Sequence, residues 1–186
     1  MSASVTVLVL AGGSSRRFGS DKLDARLGDR SVLDHCLSGM PSAWDLVVVG
    51  PSRPVPDAVA GRVRWARESP PGGGPLAGIA AGLKVVTADV VCVAPGDAPR
   101  AGEVLPLLVA ALESDPWPAG TVLSDGEGRP NPLLAAYRTD ALRRAVPADA
   151  HGLPARTLLT LPHREVRAPF EVPDVDTPED LDAMTP

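Results

Sequence analysis

Val5–Leu10 reads VTVLVL, and Ala11, Gly12 and Gly13 follow it at once. Six consecutive apolar or β-branched residues bounded by glycines read as a short strand buried on both faces. Two further runs have the same form. Asp45–Val49 (DLVVV) ends in Gly50 and Pro51, and Asp89–Ala94 (DVVCVA) ends in Pro95 and Gly96. Helical spacing fills the intervals. Ser31–Met40 gathers Val32, Leu33, Cys36, Leu37 and Met40 on one face, with Ser31 as N-cap. Leu76–Val86 repeats Leu76, Ile79, Ala80 and Leu83, and Ala101–Glu113 repeats Val104, Leu105, Leu108 and Leu112. Buried strands alternating with helices predict an α/β protein with three αβα layers around a Rossmann-like, mostly parallel sheet.

The second half is less regular. Thr121–Leu123 and Leu133–Tyr137 fit an antiparallel hairpin around Asp125–Gly128, which gives the sheet a small antiparallel part. Thr139–Val146 reads as helix, Ala155–Leu161 as a short helix and Arg164–Arg167 as an edge strand. Thr177, Pro178, Glu179 and Asp180 carry a cap, a first-turn proline and first-turn acids, and predict a terminal helix. With neither repeat nor linker in 186 residues, the expectation is one domain over residues 1–186.

Composition narrows the function classes. The chain is 44% apolar and 22% charged, with a net charge of −5. No general basic field attracts nucleic acid, and the dispersed tryptophans form no stacking platform. No apolar run approaches the roughly 20 residues of a membrane span, and the N-terminal apolar stretch is too short for a secretory signal, so a cytoplasmic protein is expected. Cys36 and Cys92 are too few for a disulfide framework or zinc cluster and read as core thiols; His35, His151 and His163 show no triad or metal spacing. Of 18 basic residues only Lys22 and Lys84 are lysines.

Four segments carry chemistry. The first, LAGGSSRRFGSDK over Leu10–Lys22, sends a buried strand into a glycine-rich loop holding Arg16, Arg17 and Lys22. Ligands of doubly wound sheets sit past the carboxyl ends of strands, where glycines let backbone N–H groups face anionic oxygens and cations neutralise a polyphosphate. The spacing matches neither G-x-x-x-x-G-K-[ST] nor G-x-G-x-x-G; taken alone, it also fits a plain strand-to-helix turn with surface arginines. The second segment, Gly72–Gly78 (GGGPLAG), is a glycine loop on a helix N-terminus. The third puts Asp97 directly after a buried strand, placed to hold Mg2+ together with substrate phosphates. The fourth, Asp174–Asp180, offers Asp176 or Asp174 as a second ligand.

In this order the four segments resemble the MobA-like nucleotidyltransferases, which open with L-A-G-G-x-S-x-R-M-G-x-D-K, continue with G-P-L-A-G, end a strand in C-D-x-P and close on a segment like Asp174–Leu181. The resemblance implies a nucleotide-diphospho-sugar transferase-like fold, and transfer of GMP from GTP to (molybdenum-)molybdopterin with release of pyrophosphate. It puts Leu10, Ala11, Gly12, Gly13 and Gly78 at the nucleotide, Arg16 and Lys22 on its phosphates, and Mg2+ on Asp97, with Asp176 as the second metal candidate. Gly50 falls where the family often has a base-contacting Asn, leaving backbone contacts, and Glu68 falls at a guanine-contacting Asp. Asn131 aligns loosely with the pterin side. Phe18, Gly96 and Glu68 depart from the usual Met, Cys and Asp, and Leu23–Leu27 is more charged than usual. The resemblance also implies transient contact with other molybdenum cofactor proteins. The rivals are the same chemistry with CTP or with a sugar or polyol phosphate acceptor, and a non-catalytic nucleotide-binding protein on the same fold.

Overall fold

The computed structural model describes residues 3–13, 18–19 and 21–184. The chain runs through β1 (Val5–Leu10), a ribbon of β2 (Arg26–Leu27) and β3 (Arg30–Ser31), α1 (Val32–Gly39), β4 (Asp45–Val49), α2 (Asp57–Ala60) and β5 (Val63–Ala66). It continues through α3 (Pro75–Leu83), β6 (Val90–Pro95), α4 (Ala101–Glu113), β7 (Gly120–Ser124), β8 (Pro130–Arg138), α5 (Thr139–Ala145), a 3-10 turn at Ala155–Thr160, β9 (His163–Arg167) and α6 (Pro178–Met184).

One seven-stranded sheet has the order β5-β4-β1-β6-β8-β7-β9. β1 lies parallel between β4 and β6, with Val7 opposite Leu46 on one side and Cys92 on the other. β8 runs antiparallel to both β6 and β7, and β9 returns parallel on β7. The α/β layering and the small antiparallel part are thus as the sequence predicts. The ribbon and the edge strand β5 add to it.

Burial on both faces explains the unbroken apolar runs. Val7 and Val9 join Cys92 and Ala94 in one cluster, beneath Leu33, Cys36 and Leu37 of α1 and Leu105 and Leu108 of α4. Leu8, Val91 and Val93 point the other way, against Leu76 and Ile79 of α3 and Leu142 of α5. Each Val or Leu so buried contributes about 1.5–3 kcal/mol. Ser31 caps α1 through a capping box with Asp34, as its position before the periodic run predicts. A third, smaller cluster seats Val175 between Leu27 and Val32. Among the described residues no helix is long and apolar enough to cross a membrane.

Candidate active site

β1 sits at the point where successive strands depart in opposite directions, β4 to one side and β6 to the other. In open α/β sheets that reversal leaves a crevice at the carboxyl ends. Backbone bonds stitch the ends together: Gly96 N–H donates to Leu10 O, Ala11 N–H to Val49 O, and Gly50 N–H to Ala66 O. A cleft of about 610 Å³ opens above them, lined among others by Leu10, Gly12, Gly13, Lys22, Glu68, Gly72, Gly78, Asp97, Leu133 and Asp176.

Most of the residues singled out by sequence therefore meet in one place. Ala11 and Gly50 do not reach the cleft wall. Ala11 is 2% exposed and its amide is committed to β4. Gly50 is buried with φ +156, and a Cβ there would stand 2.5 Å from Ala11 O. Its glycine is required by the close approach of β1 and β4, which leaves no room for an Asn side chain. Arg16, as well as Arg17, lies outside the described residues.

The centre of the cleft is ionic. Lys22 Nζ makes an ion pair with Asp97 Oδ2 and reaches Asp176 Oδ1 at 2.8 Å. Burial alone would lower the lysine pKa; hydrogen bonds and charge from Asp176 and Asp97 outweigh it, so the ammonium is held above its ordinary value. Burial, and then the charges of Asp97 and Asp176, raise the Asp174 carboxyl. Asp174 lines no part of the cleft, so Asp176 is the member of the pair that faces it.

Each of these side chains is positioned by a different device. Asp97 follows β6, and its backbone O accepts from Val175 N–H at 2.9 Å. That bond, with the burial of Val175, docks the extended segment carrying Asp176. Lys22 precedes Leu23, which is 4% exposed and whose carbonyl accepts from Leu33 N–H at the start of α1. The acids around Lys22 are fastened to the loop after β4: Arg53 contacts Asp24 Oδ1 at 2.8 Å and Asp21 Oδ2 at 3.0 Å. Burial of Arg53 is outweighed by Asp21 and Asp24, which raise its pKa.

On the opposite wall, Glu68 Oε1 accepts from Gly72 N–H at 3.2 Å. A Cβ on Gly12 would lie 3.6 Å from the same oxygen, so Glu68 flanks the first glycine loop. Gly74 caps α3 with φ +84, a conformation that favours glycine, and presents the helix N-terminus to the cleft. Asn131 Oδ1 is occupied by Leu133 N–H at 3.0 Å, and Leu133, not Asn131, lines the cleft. Sequence reasoning missed Arg53 and Val175. Neither carries a local signal, because each matters only through a neighbour distant in the chain.

The chain matches the family model for the MobA-like NTP transferase domain over residues 7–168. A Bacillus cereus protein named probable molybdenum cofactor guanylyltransferase is 36% identical over 134 residues, 70% of this chain and 66% of that protein. A Bacillus anthracis protein of the same name is 35% identical over the same length. The match thus spans slightly less than two thirds of these curated relatives. Among solved structures, molybdopterin-guanine dinucleotide biosynthesis protein A of Archaeoglobus fulgidus superposes with a TM-score of 0.69 at 24% identity, covering 96% of each chain. The 2-C-methyl-D-erythritol 4-phosphate cytidylyltransferase of Thermus thermophilus superposes with a TM-score of 0.64 at 19% identity, over 99% of this chain and 97% of that one.

Proposed function

The chain belongs to the MobA-like NTP transferase family, and from that premise we propose that it transfers GMP from GTP to molybdopterin, releasing pyrophosphate. The observation that carries the reading is the convergence of Lys22, Asp97 and Asp176 in a cleft that also exposes two glycine loops and Glu68. The names of the Bacillus relatives support the same substrates.

The reaction needs two polyanions side by side. A terminal phosphate oxygen of the acceptor bonds to the α-phosphorus of the nucleotide, and the bond from that phosphorus to the bridging β-oxygen breaks. The electron pair leaves with pyrophosphate. The nucleophile is already ionised at neutral pH, so no side chain has to remove a proton. What remains for the protein is positioning and charge neutralisation. Lys22 serves the phosphates as a compact cation on a flexible stem. Arg16, by its place in the motif, adds a second cation. Gly12, Gly13 and Gly78 let the backbone and α3 approach the nucleotide closely. Glu68 accepts from the N1 and N2 donors of guanine.

The donor set fits Mg2+. Asp97 and Asp176 already converge on one cation, the ammonium of Lys22, and two carboxylates completed by phosphate oxygens and water suit the ion. When bound there, Mg2+ supplies further neutralisation and polarises the reacting phosphorus.

Purified protein with GTP, Mg2+ and molybdopterin should release pyrophosphate and form the guanine dinucleotide, read by chromatography. Release with CTP instead, or only with a sugar or polyol phosphate acceptor, replaces the substrate assignment. Nucleotide binding without release under every acceptor overturns the enzyme reading.

A further inference from the structure

We propose that Lys22 is the resting occupant of the cation position between Asp97 and Asp176, and that it yields this position to a divalent metal only when a triphosphate arrives to receive its ammonium. The proposal rests on the nucleotidyl-transfer reading, and it adds an order of events to that reading.

Three observations carry it. First, both carboxylates meet the same nitrogen, so Lys22 holds the place where two acids focus on one cation. Second, among the described residues no group of three His, Cys, Asp or Glu side chains is arranged to hold a metal. Among the described residues a metal thus meets two carboxylates, and substrate and water are suited to supply further oxygens of a Mg2+ shell. A metal arriving alone would have to displace a charged, ion-paired lysine for a half-built shell. A metal arriving with a triphosphate finds the missing oxygens, and Lys22 finds new anions.

Third, the residues flanking Lys22 are anchored. Leu23 is buried, and Arg53 fastens Asp21 and Asp24 on either side of Lys22. Val175 N–H on Asp97 O keeps the two acidic segments together whether or not Lys22 lies between them. The four-carbon stem of Lys22 supplies the turn. The lysine thereby offsets part of the charge of two like-charged groups in the resting protein and couples metal affinity to nucleotide.

The test uses Mn2+ alone on nucleotide-free protein, read from the electron paramagnetic resonance signal of the free ion. Lys22→Met should bind Mn2+ on the order of tenfold or more tightly than the unaltered chain, the scale of removing one competing charge in a partly exposed site. Lys22→Arg, which keeps the charge, should not gain, and Lys22→Met combined with Asp97→Asn should lose the gain. Equal Mn2+ affinity in Lys22→Met and the unaltered chain overturns the proposal.

If Lys22→Met does not fold, the unaltered protein answers the same question. It contains only two lysines, and Lys84 sits exposed at the far end of α3 from the cleft. With 13C at lysine Cε, Mn2+ alone should leave the Lys22 signal as sharp as that of Lys84, and Mn2+ with GTP should broaden Lys22 selectively. Equal broadening by Mn2+ alone overturns the exchange. The two readings fail separately. A chain that releases no pyrophosphate but shows the Lys22→Met gain keeps the exchange and loses the reaction. Normal turnover with no gain does the reverse.

Discussion

Asp97 and Asp176 reach the same ammonium from two unlike parts of the molecule. Asp97 stands at the end of β6, whose Val91, Cys92, Val93 and Ala94 are each 0% exposed, and its own side chain is 15% exposed. Asp176 stands on an extended arm beyond the sheet and is 50% exposed. The first position is set by the packing of two core layers. The second is held by Val175 N–H on Asp97 O and by burial of Val175 in a small cluster with Leu27 and Val32, against which Leu181 and Met184 of α6 also pack. The candidate site is therefore set by the main core on its sheet side and by a smaller, more exposed cluster on its arm side.

The contrast predicts unequal losses. Asp97→Asn should show the largest, a fall in pyrophosphate release of about 10²–10³-fold, as for removal of one charge-stabilising group, with the thermal midpoint little changed. Asp176→Asn should cost less, on the order of tenfold, because a half-exposed carboxylate is better screened by water. Val175→Asp should match Asp176→Asn, since it expels the arm while leaving the sheet intact. Combining Val175→Asp with Asp176→Asn should add nothing, because both act through one carboxylate. A double variant much worse than either single one, or a collapse of the melting transition in Val175→Asp, would break the distinction between sheet and arm.

The same contrast explains what could be read from the sequence. β1, β4 and β6 are legible because burial on both faces forces unbroken apolar runs, and Asp97 is legible because it ends one of them. β5 is not: its pattern of Val63, Arg64, Trp65 and Ala66 belongs to an edge strand that is only partly buried. The two-residue strands β2 and β3 are too short for any period. On the arm, Val175 sits between two acids in a segment that reads as solvated, yet it is the plug that holds the segment. Asp174 and Asp176 were indistinguishable by spacing and are separated by which one meets Lys22. Arg53 is invisible for the same reason as Val175, because its two acids become neighbours only once β1 and β4 lie side by side.

Glu68 extends the comparison to a third carboxylate, just beyond edge strand β5, held by the amide of Gly72. Glu68→Gln keeps an acceptor for that amide and removes the one proposed for guanine. Turnover with GTP should survive, and the preference for GTP over CTP, measured as a ratio of kcat/KM, should fall by about tenfold, the worth of one charge-assisted hydrogen bond. An unchanged ratio would assign base recognition to backbone groups of the glycine loops.

The mildest perturbation tests the two sides directly. Cys36 lies 0% exposed beneath the strand end that carries Asp97, and burial, followed by the charge of Asp97, pushes its thiol up to about 12. Burial also raises Cys92 well above the ordinary thiol value. Because the thiolate is the reactive form, burial disfavours reaction at Cys36, and access requires the sheet to open. Val175→Cys places a thiol of similar size on the arm and should leave turnover within a few-fold. With Ellman's reagent under native conditions, Cys36 and Cys92 should stay silent until denaturant is added, while the new arm thiol reacts at the rate of local opening. If all three thiols react together, the arm opens only with the whole fold, and the unequal fastening of Asp97 and Asp176 is refuted. If the arm thiol reacts alone, and more slowly when GTP and Mg2+ are present, the arm is the side that closes over substrate.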